Sequence, residues 1–422
     1  MADRVTALAR VSPTPITSLK PTAKLPLIPD QQFIQRAFLH GVLDIETHYL
    51  TASLERLSKT VSALFEAGKQ PAETEALALT KTLVAELNPA RGDAQLFQIA
   101  VSNVAQAIRL YTSQAEDYAA ATAPDVDLNS RSSAELEDWR LTSIYNGMVC
   151  LATAASRSLG DREDGSGPIP EPIAKELDKL SRMSDLYLDG LFLTFKNNVR
   201  KVLERMHTED LEGEAGDDGC SVYVLDITAQ ISIFAEGVIP GLARSRSLGN
   251  QTLNLAKCVL DVFSRHVGLA FPQSEASKIR LSTDMARIEL AVESLCAARL
   301  LGDSYRALRA LRSSILLDTE HFVDADEAVL EQVRPLSSST LAHILLARCS
   351  EENLQQPHRR KGVDAAEYAE WMEHKTEEVL WKDVEASLDR YTESVSESET
   401  PYCIEYRAIT SLHEKLGRSL KR

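Results

Sequence analysis

Apolar residues recur along this chain at alternating four- and three-residue steps, the spacing that lines one face of a helix. Leu50, Leu54, Leu57, Val61 and Leu64 form the first such stripe and predict a helix from an N-cap at Asp30 to about Ala67, ended by Gly68 and Pro71. Residues 72–87 predict a shorter helix closed by Asn88-Pro89, because proline disfavours helical geometry in the residue before it. Phe97, Val101, Val104, Ile108, Tyr111, Ala115 and Tyr118 then hold one stripe for three heptads, which calls for a partner helix. After a polar connector at 122–131, helical spacing returns over 132–158 through Leu136, Trp139, Ile144, Val149 and Leu151. A four-helix bundle is the economical arrangement.

Residues 160–170 (GDREDGSGPIP) read as an exposed linker, and a long helix follows from Glu171 to His207 before an acidic run at 209–219. Residues 221–234 are rich in β-branched side chains and read as a strand on propensity alone. Helical patterns resume over about 250–267, 274–301, 303–317, 324–333, 337–349, 364–396 and 402–418, with Leu281, Met285, Ile288, Val292 and Leu295 as another 4-3-4-3 stripe. The expected organisation is a flexible Pro-, Ser- and Thr-rich leader at 1–29 and an N-terminal helical bundle at 30–160. Residues 161–219 hold the linker, the long helix and the acidic loop, and 220–422 hold C-terminal helical bundles.

Composition narrows the function. A formal net charge of −16 repels phosphate backbones and argues against nucleic-acid binding. The six cysteines (Cys150, Cys220, Cys258, Cys296, Cys349, Cys403) lie far apart in sequence, with no CxxC pair, and read as free thiols in a reducing compartment. The N-terminal stretch lacks the apolar core of a secretory signal. No segment is read as reaching the 18 or so apolar residues of a membrane span, so a cytosolic protein touching membranes peripherally is expected.

Motifs with chemistry are scarce. There is no GxxxxGK[ST] loop, GxSxG elbow or HExxH helix. GSGP at 165–168 follows no strand and reads as linker. Glu370 and His374 stand four apart, a spacing that could hold a metal but more often makes a surface hydrogen bond. The paired carboxylates Glu209-Asp210 and Asp217-Asp218 sit in a glycine-rich run that reads as solvated. Arg306, Arg309 and Arg312, spaced by three, have two readings: a basic stripe for an acidic partner or an anionic lipid surface, or a solvated face whose stems shield apolar neighbours. HRRK at 358–361 reads as an exposed loop. No catalytic residue, metal ligand or cofactor is assigned.

One series is specific. Lys278-Ile279-Arg280-Leu281 is followed by Asp284-Met285-Ala286-Arg287-Ile288-Glu289-Leu290-Ala291-Val292, then by Ser304-Tyr305-Arg306 with Leu308-Arg309. In order and spacing this resembles the subunit 5 family of the conserved oligomeric Golgi (COG) complex, in its C-terminal half. Lys278, Arg280, Leu281, Asp284, Met285, Glu289 and Leu290 form the signature helix. Upstream, His48-Tyr49-Leu50 with Leu54 to Leu57, Val84 to Asn88, Val101 to Tyr111, Met206-His207 with Glu209-Asp210, and Cys220-Ser221 with Tyr223 also resemble the family in order. The family carries a glycine pair where this chain reads Ser274-Glu275-Ala276-Ser277, a change expected to start the helix earlier. It also usually carries an additional N-terminal half to which nothing here corresponds.

The resemblance implies an all-α, elongated rod of stacked helical bundles, of the tethering-complex helical-rod type. It implies a non-catalytic scaffold in intra-Golgi retrograde vesicle tethering, partnered by subunits 6, 7 and 8 and by SNAREs, Rab proteins and coiled-coil tethers, on the cytosolic face of the Golgi. The alternatives are a subunit of another tether, or a helical GTPase-regulating protein using Arg306 or Arg309.

Overall fold

The structure, a computed structural model, describes residues 31–66, 73–122, 140–160, 168–213, 219–270, 274–398 and 401–419. The expected leader, the 122–131 connector beyond Thr122, Leu136, Trp139, the GSG of 165–167 and the Asp217-Asp218 pair lie outside them. Among the described residues every regular element is a helix, so the fold is all-α.

The chain divides into two compact units, with the boundary between Tyr187 and Leu188. In the first, α1 (Gln31–Leu64), α2 (Glu73–Ala90), α3 (Ala94–Thr122), α4 (Arg140–Gly160) and the first half of α5 (Glu171–Glu204) enclose one core. The stripes meet as their spacing requires: Leu57 and Val61 of α1, Leu83 of α2, Val104, Ile108 and Tyr111 of α3, Met148 of α4 and Leu177 of α5 are all buried there. The start of α5 thus adds a fifth helix to the expected four. A polar link ties it to α3, Arg109 donating to Glu176 at 2.6 and 3.0 Å, while Ser53 and Arg56 of α1 both donate to Glu86 of α2.

The second unit begins with the remainder of α5 and continues through α6 (Val222–Ile233), α7 (Arg246–Leu269), α8 (Glu275–Glu293), α9 (Asp303–Leu316), α10 (Ser338–Arg348), α11 (Ala365–Glu373), α12 (Glu377–Ser398) and α13 (Ile404–Ser419). Short helices at Ala298–Leu301, Thr319–Val323, Glu327–Val333 and Pro357–Lys361 join them. Two predicted helices are therefore divided, and a third is preceded by a separate helical turn. The 274–301 pattern breaks after Glu293, 324–333 is preceded by a separate turn from Thr319, and 364–396 breaks at His374.

The 221–234 segment is a helix, not a strand. It runs as α6, then a π-helical turn Phe234–Val238 and a 3-10 turn Ile239–Gly241. Tertiary packing overrides β-propensity: Tyr223, Val224, Ile227 and Ile231 bury one helical face, and Phe234 stacks on Phe195 at 4.3 Å and edge-on to Phe192 at 5.2 Å. The full run Val222–Gly241, with mean hydropathy 1.5, is long and apolar enough by composition to cross a membrane, which corrects the expectation that no segment is. In the fold one face of it is buried in the core, and about a third of the run is enclosed.

Candidate functional site

Two of the stretches behind the resemblance, Glu209-Asp210 with Ser221 and Tyr223 and the helix from Lys278, meet in space as a buried polar network. The first turn of a helix leaves its N–H groups without intrahelical acceptors. At α6 the Glu209 carboxylate supplies them, accepting from the N–H groups of Val222 at 2.8 Å and Tyr223 at 3.2 Å. Ser221, the N-cap in extended geometry, instead turns its hydroxyl to Asp284. Asp284, fully buried on α8, accepts from the Ser221 N–H at 2.8 Å, the Ser221 hydroxyl at 2.7 Å and the Tyr223 hydroxyl at 3.0 Å.

Arg280 lies four residues before Asp284, on the same helical face. Its guanidinium donates to Ser221 Oγ at 2.9 Å, Glu209 at 2.6 Å, and the carbonyls of Asp210 and Gly213 at 3.2 and 3.3 Å. Burial pushes the Asp284 carboxyl above its ordinary pKa, opposed by the hydrogen bonds of Ser221 and Tyr223 and by the charge of Arg280. The acidic run expected to be solvated is therefore, over Glu209 to Gly213, part of this network. Glu212 also accepts from the N–H of Ser274 at 3.2 Å, and the Ser277 hydroxyl reaches it at 2.5 Å. Ser274 and Ser277 form a capping box that starts α8 ahead of Lys278.

The far end of the signature helix is tied in a similar way. Glu289 accepts from the Tyr305 hydroxyl at 2.5 Å and from Arg312 at 3.2 Å, linking α8 to α9. Leu281 and Met285 are buried in the core, and Lys278 pairs with Glu275 at 2.6 Å. Replacing Tyr305 with phenylalanine should lower stability by about 1–2 kcal/mol, since a hydrogen bond to a charged acceptor is lost. Urea denaturation would measure it, and an unchanged midpoint would contradict this role.

What the signature helix leaves outside is apolar: Ile279 and Leu290 are 61% and 62% exposed, with Ala286 exposed between them. On α6, Val222, Leu225, Ala229 and Ile233 follow one another at helical spacing and are all exposed. Arg306, Arg309 and Arg312 do not share one environment, because a step of three turns each about 60° from the last. Arg306 is exposed and paired with Asp303, Arg309 is exposed above the Tyr305 ring, and Arg312 is half-buried against Glu289.

HRRK at 358–361 is not an exposed loop. It forms the helix Pro357–Lys361, in which His358 is buried and Arg360 and Lys361 both reach Asp383, at 3.0 and 2.6 Å. Asp383 also accepts from Tyr368 at 2.8 Å, whose hydroxyl lies 3.3 Å from His343 Nε2. His343 Nδ1 is 2.6 Å from the Ser339 carbonyl, and His207 Nε2 meets His266 Nδ1 at 2.8 Å. Burial lowers the pKa of all four histidines, His266 to about 3 and His358 to about 4.

Glu370 and His374 do not share a helical face, since α11 ends at Glu373 and His374 caps it. Glu370 instead lines a cavity of about 310 Å³ with Arg200, Lys201, Glu204, Arg265 and Glu373. Its charges are mixed in sign, and Arg200 is engaged by Glu373 at 2.5 and 3.0 Å. Among the described residues the closest gathering of potential metal ligands is Cys349, Cys403 and Glu405, within 4.8 Å of one another. Cysteines remote in sequence thus meet in the fold.

The fold and these networks define an all-helical protein whose most elaborate polar cluster fastens helices together. Along most of its length the chain is similar to subunit 5 of the conserved oligomeric Golgi complex. It is 26% identical to the mouse protein over 370 residues, 86% of this chain and 44% of that protein. To the Arabidopsis thaliana protein it is 23% identical over 396 residues, 89% of this chain and 45% of that protein. The chain spans less than half the length of these curated relatives. No protein-family model matches it. Among solved structures, the C-terminal domain of the exocyst subunit Sec6p covers 91% of this chain and 98% of its own, at 10% identity and a TM-score of 0.44.

Proposed function

We propose that this chain is a non-catalytic scaffold of a vesicle-tethering complex of the conserved oligomeric Golgi type. In this reading it acts in intra-Golgi retrograde tethering on the cytosolic face of the Golgi, held to membranes peripherally, as part of the C-terminal half of subunit 5. The observation that carries it is the similarity to subunit 5 from a mammal and a plant over 86% and 89% of the chain. Neither relative bears the name of an enzyme.

The exposed apolar residues support the same reading. Large aliphatic side chains such as Val222, Leu225 and Ile233 on one face of α6 suit burial by another subunit's helix. Subunits 6, 7 and 8 are the proposed occupants; SNAREs, Rab proteins and coiled-coil tethers are the proposed further contacts. Arg306 and Arg309 offer a second, basic contact to an acidic partner.

The test is co-purification of the chain with subunits 6, 7 and 8, read by size-exclusion chromatography at physiological salt. Stoichiometric co-elution is expected, and the double variant Leu225→Asp/Ile233→Asp should melt as the parent does yet elute alone. A folded parent chain that also elutes alone would remove this stretch from the assembly surface.

A further inference from the structure

Cys349 and Cys403 are 54 positions apart in the chain, yet their sulfurs lie 4.0 Å from one another. Cys349 is the C-cap of α10, with φ −70° and ψ 127°, and Cys403 immediately precedes α13. Both residues stand outside helical backbone, where small dihedral changes move a side chain without breaking a helix. The sulfurs need to close by roughly 2 Å to reach bonding distance. Both are half-buried, so a small oxidant has access.

The setting of Cys403 favours reaction there first. Its sulfur sits at the N-terminal end of α13, where the helix dipole stabilises an anion. The two thiols share a hydrogen bond in which either can donate, and the Tyr391 hydroxyl and the Tyr406 N–H also reach the Cys403 sulfur. Tyr391 is itself fixed in place, because its oxygen accepts the Cys403 backbone N–H at 3.0 Å.

We propose that Cys349 and Cys403 form a reversible disulfide when the protein meets a hydroperoxide, joining the end of α10 to the start of α13. The Cys403 thiolate attacks one peroxide oxygen and the O–O bond breaks. The departing oxygen takes up a proton and leaves as water or an alcohol, and the sulfur, oxidised by two electrons, becomes a sulfenic acid. The Cys349 sulfur then attacks the sulfenyl sulfur, forming the S–S bond and breaking the S–O bond. Hydroxide and the Cys349 proton leave as a second water. A reactive thiolate beside a resolving thiol is the arrangement this chemistry requires.

The experiment treats the full chain with stoichiometric hydrogen peroxide, then digests it without reductant for peptide mass spectrometry. Expected is a cross-linked peptide pair containing Cys349 and Cys403, with two of the six thiols lost and both regained on adding dithiothreitol. The oxidised chain should also melt several degrees higher, because the cross-link constrains the unfolded chain. In Cys349→Ser, dimedone should label Cys403 as a stable sulfenic acid. Cross-links spread over other cysteine pairs, labelling of another cysteine first, or no loss of thiols would each overturn the proposal. So would retention of one zinc ion per chain that protects both thiols from peroxide. Because the cross-link is read on the unsubstituted chain, a poorly folded serine variant would leave the test intact.

Discussion

Replacing Asp284 with alanine should destabilise the second unit by about 3–5 kcal/mol, the range for removing one partner from a buried ionic network. The carboxylate accepts three hydrogen bonds, and none of the donors can turn to water. The Ser221 N–H is fixed by the backbone, and the hydroxyls of Ser221 and Tyr223 are buried with it. Arg280, 6% exposed, would keep Glu209 as its remaining carboxylate. Each donor left unsatisfied costs about 1–3 kcal/mol, and these losses overlap within one network. Asp284→Asn should cost less, since its carbonyl still accepts the Ser221 N–H while the hydroxyls can turn to accept from its amide. Tyr223→Phe, which removes one donor and leaves two, should be milder than either. Urea unfolding followed by circular dichroism gives the ordering, and a midpoint for Asp284→Ala equal to the parent's would refute the role assigned to this network.

This network also marks where sequence reading ended. Helices were legible wherever an apolar stripe ran for several turns, as in α3 and α8, because burial of one face follows directly from spacing. Breaks within a continuous pattern were harder: residues at 374–376 have ordinary helix-compatible composition, and α11 ends there because His374 caps it and Glu377 of α12 turns to accept from Ser339. Segment 221–234 looked like a strand because the group that caps it as a helix, Glu209, lies twelve or more residues upstream and belongs to a loop that read as solvated. The signature residues were visible as a pattern, yet nothing in their spacing said that Arg280 and Asp284 grip Ser221 from across the fold. The arginine row was visible too, but only the neighbouring helix reveals that Arg312 is taken up by Glu289. The histidine contacts were not legible: His358 stood within HRRK and His207 within the Met206-His207 likeness, but neither pattern pointed to His343 or His266.

Lowering the pH from 7.5 to 5.5 should remove about 3 kcal/mol of stability from the second unit through His266 and His358 alone. Both are buried as neutral rings, with pKa values of about 3 and about 4 against 6.5 for the exposed side chain. Burial is the chief cause for each; the charge of His207 deepens the shift at His266, and that of Arg359 at His358. Between 6.5 and these folded-state values the unfolded chain binds protons that the folded chain refuses, so stability is full above 6.5 and falls as the pH drops through that window. Each ring then contributes about 1.4 kcal/mol per pH unit, and the change from 7.5 to 5.5 spans about one such unit below 6.5. His207 and His343, also lowered by burial, steepen the loss. The buried carboxyls of Asp261 and Asp284 are raised instead and act with the opposite sign, so the decisive reading is a difference between chains. Urea midpoints at the two pH values, compared between the parent and His266→Leu/His358→Gln, should show a clearly shallower pH dependence in the variant whatever its absolute stability. An equally steep loss in both would assign the acid sensitivity to groups other than these two rings.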